Sequence, residues 1–255
     1  MNAPRVFDAR HYETLNKSRA DIVSDLLSET REQLNLRTAA DIGCGLGDFS
    51  KFLSDLGLQV LGVDGREGNV AEARLRFTDI IFRTENVEDL PVKEMGTFDL
   101  VLCFGLLYHL ENPFRAIRNL YALTSTILMV EGMCAPSNQP TMDLLDEGAD
   151  EDQGLTYVAF YPSESCLIKM LYRSGFPFVY LFKNLPADER YTSTIWRKRE
   201  RTILVASKVA LASPNLVLAK EPIRPVPGIT DPWTTRLRKA RAYMGRLMNP
   251  LRGRL

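Results

Sequence analysis

Three glycines stand at alternate positions in "AADIGCGLGDFSKFL" (residues 39–53), directly behind an apolar run that ends in Asp41. Gly43, Gly45 and Gly47 permit positive φ and let a ligand come close to backbone. The helix expected to follow offers unpaired N–H groups at its start, and Asp41 adds a fixed acceptor. A dinucleotide-binding turn has the pattern G-x-G-x-x-G, which seats a pyrophosphate. Counted from Gly43, its third glycine falls on Asp48, whose carboxylate would oppose two phosphates. The pattern D-x-G-x-G-x-G instead suits a ligand without phosphate, carrying a positive centre that an acidic turn tolerates. In "GVDG", Asp64 is placed to accept both hydroxyls of a ribose. Hydrogen bonds to such a charged acceptor are worth roughly 1.5–3 kcal/mol each. In "ENVEDLP", Asn86 offers an acceptor to an adenine amino group and the Val87 N–H a donor to the ring. Together these residues describe a nucleoside held by its sugar and base.

Positioning such residues takes strands that end where the turns begin, and the periodicity supplies them. "TAADI", "LQVLGVD", "DIIFRT", "FDLVLCFGLL", "STILMVE", "FVYLF" and "RTILVASK" read as strands. The near-continuous apolar run in the fourth is expected of a strand buried on both faces. Between them lie helices with apolar stripes: Phe49, Phe52, Leu53 and Leu56; Val70 and Phe77; Phe114, Ile117, Leu120 and Tyr121. Asn112 followed by Pro113 reads as a capping side chain with proline at the first helical position. "SESCLIKMLYRSGF" reads as a helix closed by Gly175. This alternation predicts an α/β fold with an open, doubly wound, mostly parallel sheet. In such a sheet ligands sit beyond the carboxyl ends of the strands, where the strand order reverses. Residues 1–37 read as an N-terminal helical cap with Ile22, Val23, Leu26 and Leu27 on one face. Residues 210–232 hold five prolines and read as a linker or wrapping arm.

"DIGCGLG", "GVDG", "ENVEDLP" and "FDLVLCFGLLYHLENP" occur in the order and spacing of class I S-adenosylmethionine-dependent methyltransferases, which the chain resembles over about residues 38–209. The resemblance implies a seven-stranded Rossmann-like sheet whose last strand runs antiparallel, with the methyl donor lying across the first strand's turn. It also implies the donor-binding set. Asp41, Gly43, Cys44, Gly45 and Gly47 flank the methionine part, and Asp64 and Gly65 take the ribose. Asn86 and Val87 take the adenine, and the segment from Phe104 and Gly105 to Tyr108 lines the donor. Aspartate is commoner in the family at position 86; asparagine keeps the acceptor oxygen without the charge.

Methyl transfer from a sulfonium is an in-line displacement in which alignment alone contributes on the order of 7–11 kcal/mol. A base is needed only where the acceptor must lose a proton. His109, behind the fourth strand, and Glu131, at the end of the fifth, are the candidates; packing roles are the alternative for both. In some relatives an N-terminal helix folds over the donor, and Arg19 there would meet its carboxylate. Residues 136–161 read as an insertion forming the acceptor-side lid, rich in acids from Asp143 to Asp152 and followed by Tyr157, Phe160 and Tyr161. The expected acceptor is an oxygen or nitrogen nucleophile of a small molecule or glycan. "GLLYHLENP" is also similar to a segment of wobble-uridine-modifying relatives, so an RNA acceptor is a second reading, and a non-catalytic adaptor with the donor fold is a third.

Lysine plus arginine equals aspartate plus glutamate at 32 each, so bulk charge does not steer the chain toward nucleic acid. Cys44, Cys103, Cys134 and Cys166 form no C-x-x-C pair, so no metal site is expected and reduced thiols of a cytoplasmic protein are. No secretory leader is expected from "MNAPRVFDARHY". Residues 233–255 carry arginines and lysine with apolar residues at spacings of three and four. This basic amphipathic segment suits contact with an anionic membrane surface or RNA, hence a peripheral membrane location, or docking on the protein itself.

Overall fold

The computed structural model describes residue 7 and residues 10–148, 150, 152–194 and 198–224, the side chains of residues 10 and 11 apart. The described residues as far as Pro222 belong to one compact unit. Its strands are β1 (Thr38–Ile42), β2 (Gln59–Asp64), β3 (Ile81–Thr84), β4 (Phe98–Phe104), β5 (Thr124–Met133), β6 (Met142–Asp146), β7 (Val158–Pro162), β8 (Phe178–Phe182), β9 (Arg201–Ser207) and β10 (Leu216–Leu218). Its helices are α1 (Arg10–Leu34), α2 (Asp48–Asp55), α3 (Glu67–Arg76), α4 (Val92–Met95), α5 (Pro113–Leu123) and α6 (Glu164–Ser174).

Eight of these strands form one sheet in the order β10-β8-β9-β5-β4-β1-β2-β3. Strands β1 to β5 are mutually parallel where they pair, and β9 runs antiparallel to both β5 and β8. The expected doubly wound sheet with an antiparallel last strand is therefore present, with an eighth strand added. That strand lies in the segment read as a linker. Leu216–Leu218 pair with Phe182–Tyr180 of β8, and the Tyr172 hydroxyl and the Val179 carbonyl tie down Ala219. An apolar triplet beside an open sheet edge gains ladder bonds, and Leu216 gains burial, which the surrounding prolines mask in the sequence. The proline-rich residues 225–232 and the basic segment 233–255 lie outside the described residues.

Along β4 the side chains alternate, as a pleated strand requires. Leu100 and Leu102 pack with Leu15, Val23 and Leu26 of α1, and Val101 and Cys103 with Ile117 and Leu120 of α5. Both faces of the sheet are thus covered. Ser163 caps α6 by accepting from the Cys166 N–H at 3.1 Å. Asn112 stands at the start of α5 with Pro113 behind it, but its side chain makes no capping bond; its backbone N–H donates to Glu88 instead. The insertion folds as a separate hairpin of β6 and β7. The strand order reverses at β1, between β2 and β4, and a crevice opens at their carboxyl ends.

Candidate active site

Beyond β1 the chain turns back over β2: the N–H groups of Gly43 and Cys44 both donate to the Val63 carbonyl, at 2.7 and 2.9 Å. Gly45 follows at φ +53° and donates to Asp64 Oδ2 at 3.0 Å. Oδ1 of Asp64 accepts from the Arg66 N–H at 2.9 Å and from Asn69 at 3.3 Å. Asp64 therefore pins the glycine turn while its carboxylate faces the crevice; burial pushes its pKa up, against the pull of these donors. Asp41 is buried and accepts from the Ser50 hydroxyl at 2.7 Å. Burial raises its carboxyl to about 7, with the Ser50 bond opposing.

The crevice spans about 1110 Å³, counting the solvent space at its mouth. Asp41, Gly43, Cys44, Gly45, Asp64, Gly65, Asn86, Val87, Phe104, Gly105 and His109 all line it. Two residues expected there do not. Gly47 starts α2 at φ +90°, and a Cβ on it would lie 2.9 Å from Phe82 and 3.0 Å from Phe77. Its smallness serves the packing of α2 on β3, behind the turn. Glu131 is fully buried in the wall. Asn86 lines the crevice, but its Oδ1 already accepts from the Glu88 N–H at 3.0 Å, capping the turn Val87–Asp89.

Glu131 is the centre of an ionic cluster. It pairs with Arg19 of α1, accepts from Arg201 Nε at 2.6 Å and from the Tyr191 hydroxyl at 2.8 Å. Burial alone would raise its carboxyl, but Arg19 and Arg201 outweigh burial and hold it at about 2. Both carboxylate oxygens are occupied by these partners. Arg19 is itself 6% exposed, lines the crevice and packs against Gly105; its Nε is buried with no hydrogen-bond partner.

The insertion borders the mouth. Arg66 Nη2 donates to the carbonyls of Gly154 and Gln153 at 2.7 and 3.2 Å, Tyr12 donates to Asp152 at 2.7 Å, and Leu155 covers Gly65. The insertion read as a lid thus meets the turn behind β2 and the start of α1. His109 sits below it with its Nδ1 at 2.9 and 3.0 Å from the Glu147 oxygens. Burial lowers the His109 pKa, more than Glu147 raises it, so the ring is neutral at neutral pH. Arg66, Glu147 and the 152–155 loop are absent from any local motif. Arg66 adjoins the Asp64 motif, but its partners lie 87 and 88 residues away. Among the described residues no cluster of His, Cys, Asp and Glu is arranged to hold a metal ion, and no helix is long and apolar enough to cross a membrane.

Residues 40–126 match the family model described as a methyltransferase domain. The ubiquinone biosynthesis O-methyltransferase of Xanthomonas euvesicatoria pv. vesicatoria (strain 85-10) is 35% identical over 108 residues, 41% of this chain and 43% of that protein. The chain thus spans less than half the length of the curated relatives it matches. The N-terminal domain of EvdMO1, solved with SAH bound, is similar with a TM-score of 0.64 at 21% identity, covering 78% of this chain and 84% of that one. Magnesium protoporphyrin IX methyltransferase (ChlM) from Synechocystis PCC 6803, solved with SAM bound, gives 0.52 at 22% identity, covering 82% and 87%. At these identities the solved structures bear on the fold alone.

Proposed function

We infer that this chain, which belongs by fold and by its methyltransferase domain to the class I S-adenosylmethionine-dependent methyltransferases, transfers a methyl group from that donor to an oxygen of a small-molecule or glycan acceptor. One observation carries the reading: a crevice at the switch point of the sheet gathers the ionisable Asp64, the Gly43–Gly45 turn and the Asn86–Val87 edge, with Asp48 where a pyrophosphate would need glycine. In this reading Asp64 accepts the ribose hydroxyls and the Val87 edge meets the adenine. Arg19, with its unsatisfied Nε, faces the donor carboxylate across Gly105. The printed name of the Xanthomonas relative supports oxygen as the atom methylated.

The chemistry is then a single displacement. The acceptor oxygen attacks the methyl carbon, the carbon–sulfur bond breaks, and its electron pair neutralises the sulfonium to a thioether. The leaving group brings its own charge, so the protein contributes mainly alignment. The acceptor proton goes to Nε2 of the neutral His109. Glu131 holds Arg19 and Arg201 in place.

Titration calorimetry with S-adenosylhomocysteine and, separately, with nicotinamide adenine dinucleotide tests the donor. Binding of the first at micromolar concentration and none of the second is expected; the reverse overturns the reading. A donor-dependent mass gain of one methyl group in a screened metabolite extract then identifies the acceptor.

A further inference from the structure

Glu147 stands just past β6, outside the nucleoside-binding motifs, yet its side chain is only 4% exposed and His109's 12%. Both its oxygens lie within hydrogen-bond distance of His109 Nδ1. The same Oε2 also accepts the Gly154 N–H at 2.7 Å. Gly154 lies so close to the turn below that a Cβ on it would sit 2.3 Å from the His109 carbonyl oxygen. A ladder-like bond from the Phe160 N–H to the Leu110 carbonyl, 2.9 Å, fastens β7 to that turn as well. One carboxylate is therefore shared between the imidazole and the loop that covers the donor crevice.

We propose that Glu147 is the positioning residue for His109, its own place fixed by the Gly154 N–H. The proposal rests on His109 acting as the base in the function inferred above. A neutral imidazole carries one N–H, and a carboxylate can only accept. Glu147 thus fixes the proton on Nδ1 and leaves the Nε2 lone pair free to take the acceptor's proton. Once that proton arrives, the carboxylate stabilises the imidazolium in a site where burial opposes charge. Because Oε2 is also held by Gly154, displacing Gly154 disturbs the orienting partner.

The groups facing His109 are Glu147 and Asp152 from the loop, Arg201 from β9, Tyr108 beside it and, through Tyr108, Tyr161 of β7. The chain has two histidines, so nitrogen NMR of the imidazoles, assigned with His11→Asn and His109→Asn, reads the pair directly. In the wild-type protein with S-adenosylhomocysteine as probe, the Nδ1–H tautomer of His109 is expected. Glu147→Gln keeps an acceptor but removes the charge, so the His109 pKa falls further. A merely structural latch gives the opposite sign: loosening the loop exposes the ring and its pKa rises toward the ordinary value. Gly154→Ala leaves Glu147 in the chain and displaces the loop; loss of the tautomer preference is expected. An unchanged or raised pKa in Glu147→Gln, or an unchanged tautomer in Gly154→Ala, overturns the proposal. The titration also runs without probe, so failure of S-adenosylhomocysteine to bind would count against the donor reading and leave the His109–Glu147 result intact.

Discussion

Glu131→Gln changes one charge at nearly constant volume, at a carboxylate with no exposed surface. Glutamine keeps one acceptor oxygen for Arg201 or Tyr191 and turns an NH2 group toward a guanidinium, donor against donor. Two estimates of the cost agree. Breaking a buried ion pair by neutralising one partner costs about 3–5 kcal/mol. A carboxyl held at about 2 against an ordinary 4.5 has gained about 3 kcal/mol from its surroundings, at roughly 1.4 kcal/mol per unit. For a chain of this length each kcal/mol moves the melting temperature by about 2–4 °C, so a fall of about 6–20 °C is expected. Circular dichroism melts at pH 7 measure it. The pH dependence has a definite sign. The folded pKa lies below the unfolded one, so the stabilisation is fully present above about 4.5 and is lost as pH falls toward about 2. The gap between wild type and variant should therefore close across that window. A melting temperature within about 2 °C of wild type at pH 7, or a gap as wide at pH 2.5 as at pH 7, would refute the anchoring role. If turnover were lost while the melting temperature stayed put, Glu131 would be the base after all.

Gly47→Ala should cost about 2–5 kcal/mol, from positive φ and from overpacking against Phe82 and Phe77. Affinity for S-adenosylhomocysteine, measured by calorimetry on the folded variant, should stay within about threefold, or roughly 0.6 kcal/mol. Asp64→Asn removes the charged acceptor and sets an NH2 against the Gly45 or Arg66 N–H; affinity should fall by about 10²–10⁴-fold, at 1.5–3 kcal/mol for each of two ribose bonds. Asp41 has its pKa raised, so its contribution to stability is complete below the ordinary 3.8 and is lost as pH rises through about 7. Urea unfolding of the ligand-free protein should show that decline between pH 4 and 7, and Asp41→Asn should flatten it.

Local chemistry determined much of this protein from its sequence alone. The alternation of strands and helices follows from periods of two and 3.6 residues, which any short window displays. The glycine turn, Asp64 and the Asn86–Val87 edge are legible because a turn's positive φ and a strand's last residue are decided within a few positions. What tertiary structure alone decided involves partners far apart. Glu131 lies near the end of an apolar strand and looks like a base; Arg19 lies 112 residues before it and Arg201 70 after, and only the fold brings both guanidinium groups onto it. Gly47 belongs to the motif, but its packing against Phe82 takes it out of the crevice. Leu216–Leu218 become a strand because β8 leaves an edge open for them. Glu147 is one acid among several in the insertion until the hairpin folds down on His109, 38 residues back. Backbone geometry is set by neighbours in the chain, whereas the protonation and burial of a side chain depend on which distant groups the packed core brings against it.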